Sequence, residues 1–218
     1  MGAGKFSTMM KGLMMTERGI ILKAHEVLAV LDGRQTMFVR PMRKQPIVYS
    51  SLNDIKVARG GELVYADAAT GVNVRIYNKN DRPIHSPYGV VGDVLWGKET
   101  WSPDHKAFYP YHPVVFRVDG ECCDIETYGR TCSPEDGATY PFSWRSSTQM
   151  PRRFSRIARE ITGIRIMQMW NITVKACEGR YPCAVWKWEE QWNADYPKHP
   201  WVTNEFVWVI DTKGTDDE

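Results

Sequence analysis

The chain has 218 residues, 43% of them apolar and 25% charged, with a formal net charge of +2. That length buries a core without disulfide or metal staples, and the composition excludes a wholly disordered chain and a coiled coil. No apolar run approaches the roughly 18 residues of a membrane span, so no membrane partner is expected.

Residues 1–15 hold five Met and three Gly without periodicity. Residues 1–17 are expected to be a flexible lead-in with no apolar leader segment, and the protein is expected to be cytoplasmic. Residues 24–32 predict a short helix with Val27, Leu28 and Leu31 on one stripe, ended by Gly33 at its C′ position. Strands are expected at Thr36–Arg40, Ile47–Ser50, Glu62–Ala66 and Val72–Tyr77, followed by a polar turn over Asn78–Ser86. Asp93–Trp101 and Val114–Val118 also predict strands, and residues 119–140, with three Cys and little apolar content, a surface insertion.

Ile157–Met167 reads as a strand whose apolar phase flips at Gly163: Ile157 and Ile161 share one phase, Ile164 and Ile166 the other, so a bulge is expected there. Residues 183–193 predict a helix with Val185, Trp188 and Trp192 facing inward. Phe206–Ile210 is almost wholly apolar, the pattern of a central strand buried on both faces. Many short strands and few helices suggest an α+β domain built on a small curved sheet or barrel, over residues 18–212, with an acidic tail at 213–218.

Charge is uneven. Residues 1–60 carry ten Lys and Arg against four acids, a net of +6. A second basic stretch holds Arg145, Arg152, Arg153, Arg156, Arg159 and Arg165 against Glu160 alone. Such a distribution either attracts phosphate or forms solvated strand faces. Nine Trp residues are numerous for this length. Most are expected in the core, whereas Trp96, Trp101 and Trp144 lie nearer the basic segments and are the better candidates for stacking on bases.

Metal and nucleophile signatures are absent from the sequence. The five Cys lack a C-x-x-C pair, and Cys122, Cys123 and Cys132 with His105 or His112 do not have the spacing of structural zinc knuckles. Free thiols in a reducing compartment are expected, with no metal and no cofactor. No G-x-S-x-G, P-loop or G-x-G-x-x-G run occurs.

Four ordered motifs carry a family resemblance. Leu31-Asp32-Gly33-Arg34-Gln35-Thr36-Met37-Phe38-Val39-Arg40-Pro41 resembles a helix end followed by a Gly-Arg-Lys-Thr-x-Thr-x-Arg strand. Pro87-Tyr88-Gly89-Val90-Val91-Gly92-Asp93-Val94-Leu95-Trp96-Gly97-Lys98-Glu99-Thr100-Trp101 resembles Tyr-Gly-x-x-Gly-Asp-x-Leu-Trp-x-x-Glu-Thr-Trp. Met150-Pro151-Arg152-Arg153-Phe154-Ser155-Arg156 resembles Met-Pro-Arg-Trp-x-Ser-Arg, and Phe206–Ile210 resembles a closing strand. Together these resemble the ASCH domain, in the form encoded by phages and prophages.

The resemblance implies a PUA-like small β-barrel with flanking helices and loop insertions, a fold that binds RNA or modified bases. It also implies, for some members, amidohydrolysis of N4-acylated cytidine by a Lys, a Thr and a Glu, and for others ribonuclease activity. Here the Lys position is Gln35 and the Thr position is Phe38, while the Glu falls on Glu178 and the strand Arg on Arg40. Neither Gln35 nor Phe38 supplies a base or a nucleophile. The expectation is therefore an RNA-, nucleobase- or nucleotide-binding module without the intact triad. The alternatives are a hydrolase with rearranged groups and an accessory protein that binds a host protein. Candidate ligand contacts are Gln35, Thr36, Phe38, Arg40, Lys98 and Glu99, and candidate phosphate contacts are Arg43, Lys44, Arg152, Arg153 and Arg156.

Overall fold

A computed structural model of the chain describes residues 15–46, 55–66, 73–102, 114–118, 144–172 and 185–215. The strands are β1 (Glu17–Ile21), β2 (Met37–Pro41), β3 (Ile55–Val57), β4 (Leu63–Ala66), β5 (Asn73–Arg75), β6 (Val94–Lys98), β7 (Trp101–Ser102), β8 (Val115–Phe116), β9 (Ala158–Gln168) and β10 (Phe206–Gly214). The α-helices are α1 (Ala24–Leu31) and α2 (Val185–Asp195). The fold is mixed α+β, dominated by one eight-stranded sheet.

Two long strands organise that sheet. β10 lies between β2 and β9 and is antiparallel to both. The other edge of β9 is shared: β6 pairs with it over Ala158–Glu160, and β3 meets it at Arg165, where β4 and β5 extend the sheet outward. β1 pairs parallel to β6. The β9–β10 register shifts where Asp211 faces Gly163 and Thr212 faces Ile161, leaving Thr162 unpaired. This is the bulge expected from the change of apolar phase, and both Ile161 and Ile164 reach the core because of it.

The strand path is open among the described residues and does not close into the expected barrel. β1 and β2 each have one strand partner there, and their nearest link is a side chain: Arg40 Nη2 donates to Ile21 O at 3.1 Å.

Both faces of β10 are buried, as its composition predicts. On one face Phe38, Trp208 and Ile210 join Val27 and Val30 of α1 and Ile161, Ile164 and Ile166 of β9. On the other, Met37, Val39, Val207 and Val209 pack against Trp188 and Trp192 of α2. A tryptophan removes ~150–250 Å² from water, worth about 4–6 kcal/mol before ordering costs, so this pair explains why a helix of weak amphipathicity stays docked. Trp188 stacks edge-on to Trp201 at 4.9 Å, and Trp192 Nε1 donates to His199 O at 2.6 Å.

Helix α1 ends as expected. Gly33 takes φ +71°, its N–H bonds Val30 O, and Arg34 N–H bonds Ala29 O, a Schellman pair that a left-handed residue allows. The buried face differs from the predicted stripe: Leu28 and Leu31 are 40% and 46% exposed, and Glu26, Val27, Ala29 and Val30 face in. The cause is polar. Glu26 is drawn inside to meet Arg40, which rotates the helix away from its most apolar stripe. β1 and β3 lie where the sequence predicts no strand, with β1 beginning at the end of the supposed lead-in. The predicted strand 47–50, the insertion 119–140 and the acidic end of the tail lie outside the described residues.

Candidate functional site

A cavity of about 250 Å³ opens between the end of β1, the first turns of α1, and the β6–β7 and β8 connections. Leu22, Ala24, Val27 and Val118 give it an apolar wall, and Glu99, Thr100 and Arg117 a polar one. Gly97 makes this approach possible. A Cβ there would lie 2.8 Å from Leu22 Cδ1 and 3.0 Å from Ile157 Cβ, closer than packed carbons tolerate.

The Glu99 side chain is fully buried. A buried carboxylate needs compensation, and Arg156 supplies it as a fork, Nε to Oε1 at 3.2 Å and Nη2 to Oε2 at 2.8 Å. The Glu99 backbone N–H points at Met150 Sδ, 3.2 Å away. Ser155 Oγ donates to Gly97 O at 2.8 Å. The second and third motifs, some fifty residues apart in sequence, therefore dock on each other, and Met150, Ser155 and Arg156 all serve to hold Gly97 and Glu99.

Around this pair, cations lie on aromatic rings. Lys98 Nζ is 5.1 Å from the centre of Trp96, Arg145 is 5.4 Å from Trp101, Arg153 is 4.7 Å from Phe154, and Arg156 is 4.2 Å from Phe116. Such contacts hold a guanidinium or ammonium in place while its charge still acts outward. Trp101, expected as a base-stacking ring, is buried instead, packed against Phe154 at 5.4 Å. Trp101 Nε1 and Ser102 Oγ are buried without a hydrogen-bond partner among the described residues. Arg152 forks onto exposed Glu17 at 2.8 and 3.0 Å, and that bond holds the Glu17 carboxyl below its usual pKa. Among the described residues of this region, six cations (Lys98, Arg117, Arg145, Arg152, Arg153, Arg156) accompany two carboxylates, Glu17 and Glu99, which Arg152 and Arg156 hold.

The residues at the motif's Lys and Thr positions are elsewhere and enclosed. Gln35 and Phe38 both have 0% exposure. Gln35 Nε2 donates to Met37 O at 3.0 Å, and its Oε1 has no partner among the described residues. Phe38 belongs to the core, so its ring packs instead of offering a face to a ligand. The half-buried Thr36 accepts at its carbonyl from Thr212 N and Oγ1. None of these residues lines the cavity.

Arg40 does share a face with Phe38, its guanidinium 5.4 Å from the ring centre. Its carboxylate partner is Glu26, at 2.6 and 2.9 Å, with both side chains nearly inaccessible. Glu26 Oε2 also accepts from Lys23 N at 3.0 Å. A lysine side chain has no acceptor to return that bond, so only half of a capping box forms. The pair fixes the first turn of α1 and the end of β1, which form the cavity wall. Tyr88 and Tyr196 lie near it. Burial pushes the Tyr196 phenol up to about 12 and raises Tyr88 as well, against the opposing pull of Arg40.

Of the remaining candidates, Lys98 is half-buried and also donates to Thr148 O at 3.1 Å, while Arg43 and Lys44 are exposed just after β2. Glu178, Cys122, Cys123, Cys132, His105 and His112 lie outside the described residues. Among the described residues no cluster of His, Cys, Asp and Glu can hold a metal ion, and no helix is long and apolar enough to cross a membrane. Sequence reasoning missed Glu26, Phe116, Arg117 and Phe154. Glu26 left one usable signal, a lone acid on the apolar side of a short helix.

No protein-family model, curated protein or solved structure matches the chain.

Proposed function

We propose that the chain is an ASCH-type, PUA-like module of the kind carried by phages and prophages, and that it binds RNA or a nucleotide at the cavity beside Glu99 in the cytoplasm. The carrying observation is the buried Glu99, forked by Arg156, in the wall of a base-sized cavity, with cations seated on aromatic rings in the segments next to it. An apolar pocket with a few fixed polar groups suits a flat heterocycle. Positive charge beside aromatic faces suits the phosphate and bases of a single strand. Binding is favoured over hydrolysis because Gln35 and Phe38, enclosed in the interior, bring neither nucleophile nor base to the motif positions.

Calorimetric titration with AMP, CMP, GMP and UMP tests this. At least one nucleotide is expected to bind the intact protein. Ala24→Trp, which fills the cavity from an exposed position in the first turn of α1, is expected to weaken that binding more than tenfold. Equal affinity in the variant would place the ligand elsewhere.

A further inference from the structure

A second basic surface lies away from the cavity, assembled from two separate segments. Pro46 bridges to Asn78, so the chain after β2 runs beside the turn after β5. The first segment is held by Gln45, which donates to Met42 O and Phe206 O and accepts from Phe206 N. The second is held by the buried Asn78, whose N–H bonds Arg82 O at 3.0 Å and whose Oδ1 accepts from Asn80 N at 2.8 Å. These supports present Arg43 and Lys44 from one segment and Lys79 and Arg82 from the other, all four exposed. None of the four forms an ion pair among the described residues, in contrast to Arg152 and Arg156. Asp81 is the one acid in the turn. Tyr77 stands beside the turn with its side chain 39% exposed, and Arg43 is close enough to Tyr88 to act on its phenol.

We propose that Arg43, Lys44, Lys79 and Arg82, with the Tyr77 ring, form a second contact surface for a single-stranded phosphodiester backbone, reached only by strands long enough to extend from the cavity. Unpaired cations on a pre-arranged surface with an exposed ring are the requirements for tracking a strand without reading its sequence. The length condition rests on the cavity reading above. It follows from the sheet: β6 meets β9 at Ala158–Glu160, β3 meets it at Arg165, and β5 lies two strands beyond β3. At ~3.3 Å per residue and ~4.8 Å per strand, the path along the sheet from the β6–β9 pairing to β5, beside Lys79 and Arg82, is roughly 20 Å. A mononucleotide cannot touch both.

The test uses fluorescence anisotropy with labelled single-stranded RNA and DNA of about ten nucleotides, a length within the usual site size of such modules. Calorimetry with AMP, CMP, GMP and UMP runs in parallel, at several KCl concentrations. The quadruple variant Arg43→Ala, Lys44→Ala, Lys79→Ala and Arg82→Ala alters only exposed side chains, and circular dichroism checks its fold. Four lost phosphate contacts at about 0.7 each should flatten the slope of log K against log salt by about 2–3, with mononucleotide binding unchanged. Tyr77→Ser should weaken the strands by about tenfold. Loss for RNA alone would assign the surface to RNA, and loss for both to single strands of either kind. An unchanged slope in the quadruple variant overturns the proposal while leaving the cavity reading intact. A patch-dependent strand affinity with none of AMP, CMP, GMP and UMP bound by the intact protein would sustain this surface and overturn the cavity reading. No binding of either strand overturns the proposal, and no binding of strand or mononucleotide overturns both readings.

Discussion

The buried Arg40–Glu26 pair offers a sharp perturbation, because the cost of breaking it differs in kind from the cost of removing it. Both side chains are nearly inaccessible, at 7% and 2% exposure. Glu26→Ala leaves the guanidinium without its carboxylate in a low-dielectric site, which costs about 3–5 kcal/mol. It also removes the bond from Lys23 N at the start of α1, worth about 1 kcal/mol. A domain whose whole stability is ~5–15 kcal/mol would then be close to unfolding at physiological temperature. Arg40→Met alone strands the carboxylate and should cost a similar amount. The double variant Arg40→Met with Glu26→Gln keeps volume and buries no lone charge, so it should lose no more than about 2 kcal/mol. Urea unfolding of wild type, Arg40→Met, Glu26→Gln and their double variant closes the cycle, and a coupling of about 2 kcal/mol or more is expected. Strictly additive losses would show that the two charges do not compensate each other, and the account of why α1 leaves Leu28 and Leu31 exposed would fall.

Two further outcomes follow from the same packing. The Tyr196 phenol is pushed from 10.0 to about 12 in the folded protein, so its full contribution is present below pH 10. Between pH 10 and 12 the unfolded chain ionises first and stability falls by about 2 kcal/mol. Tyr196→Phe should remove that part of the fall in urea unfolding measured across this range, and an identical profile would contradict it. Gly97→Ala should cost about 1–3 kcal/mol by overpacking Leu22 and Ile157, and should also weaken ligand binding because Leu22 lines the cavity; wild-type affinity in a destabilised variant would separate the two effects.

Elements whose signal is local were legible in the sequence. The phase change along Ile157–Met167 gave the bulge, the apolar run Phe206–Ile210 gave the central strand, and Gly33 gave the end of α1. Where distant partners decide, the sequence was mute or misleading. β1 is held by a parallel ladder to β6, more than seventy residues away, and its own five residues carry no alternating pattern. The stripe of α1 was misread because Arg40, fourteen residues on, draws Glu26 inward. At the site, Glu99 and Arg156 were each singled out, one for ligand and one for phosphate. Their mutual fork spans fifty-seven residues and no local pattern encodes it. Arg152 was singled out for phosphate on charge alone and is tied to Glu17. Phe38, read as a ligand contact, is core, because the strand that carries it has both faces covered.

Photo-crosslinking of 4-thiouridine-containing single-stranded RNA to the protein, followed by peptide mapping, tests the central claim most directly. The account predicts crosslinks concentrated around Trp96–Trp101, Phe116 and Arg153–Phe154, lost in the Ala24→Trp variant and on competition with unlabelled strand. Crosslinks confined to the far side of the sheet, around Trp170 and Val202, or no competable crosslink at all, would contradict it.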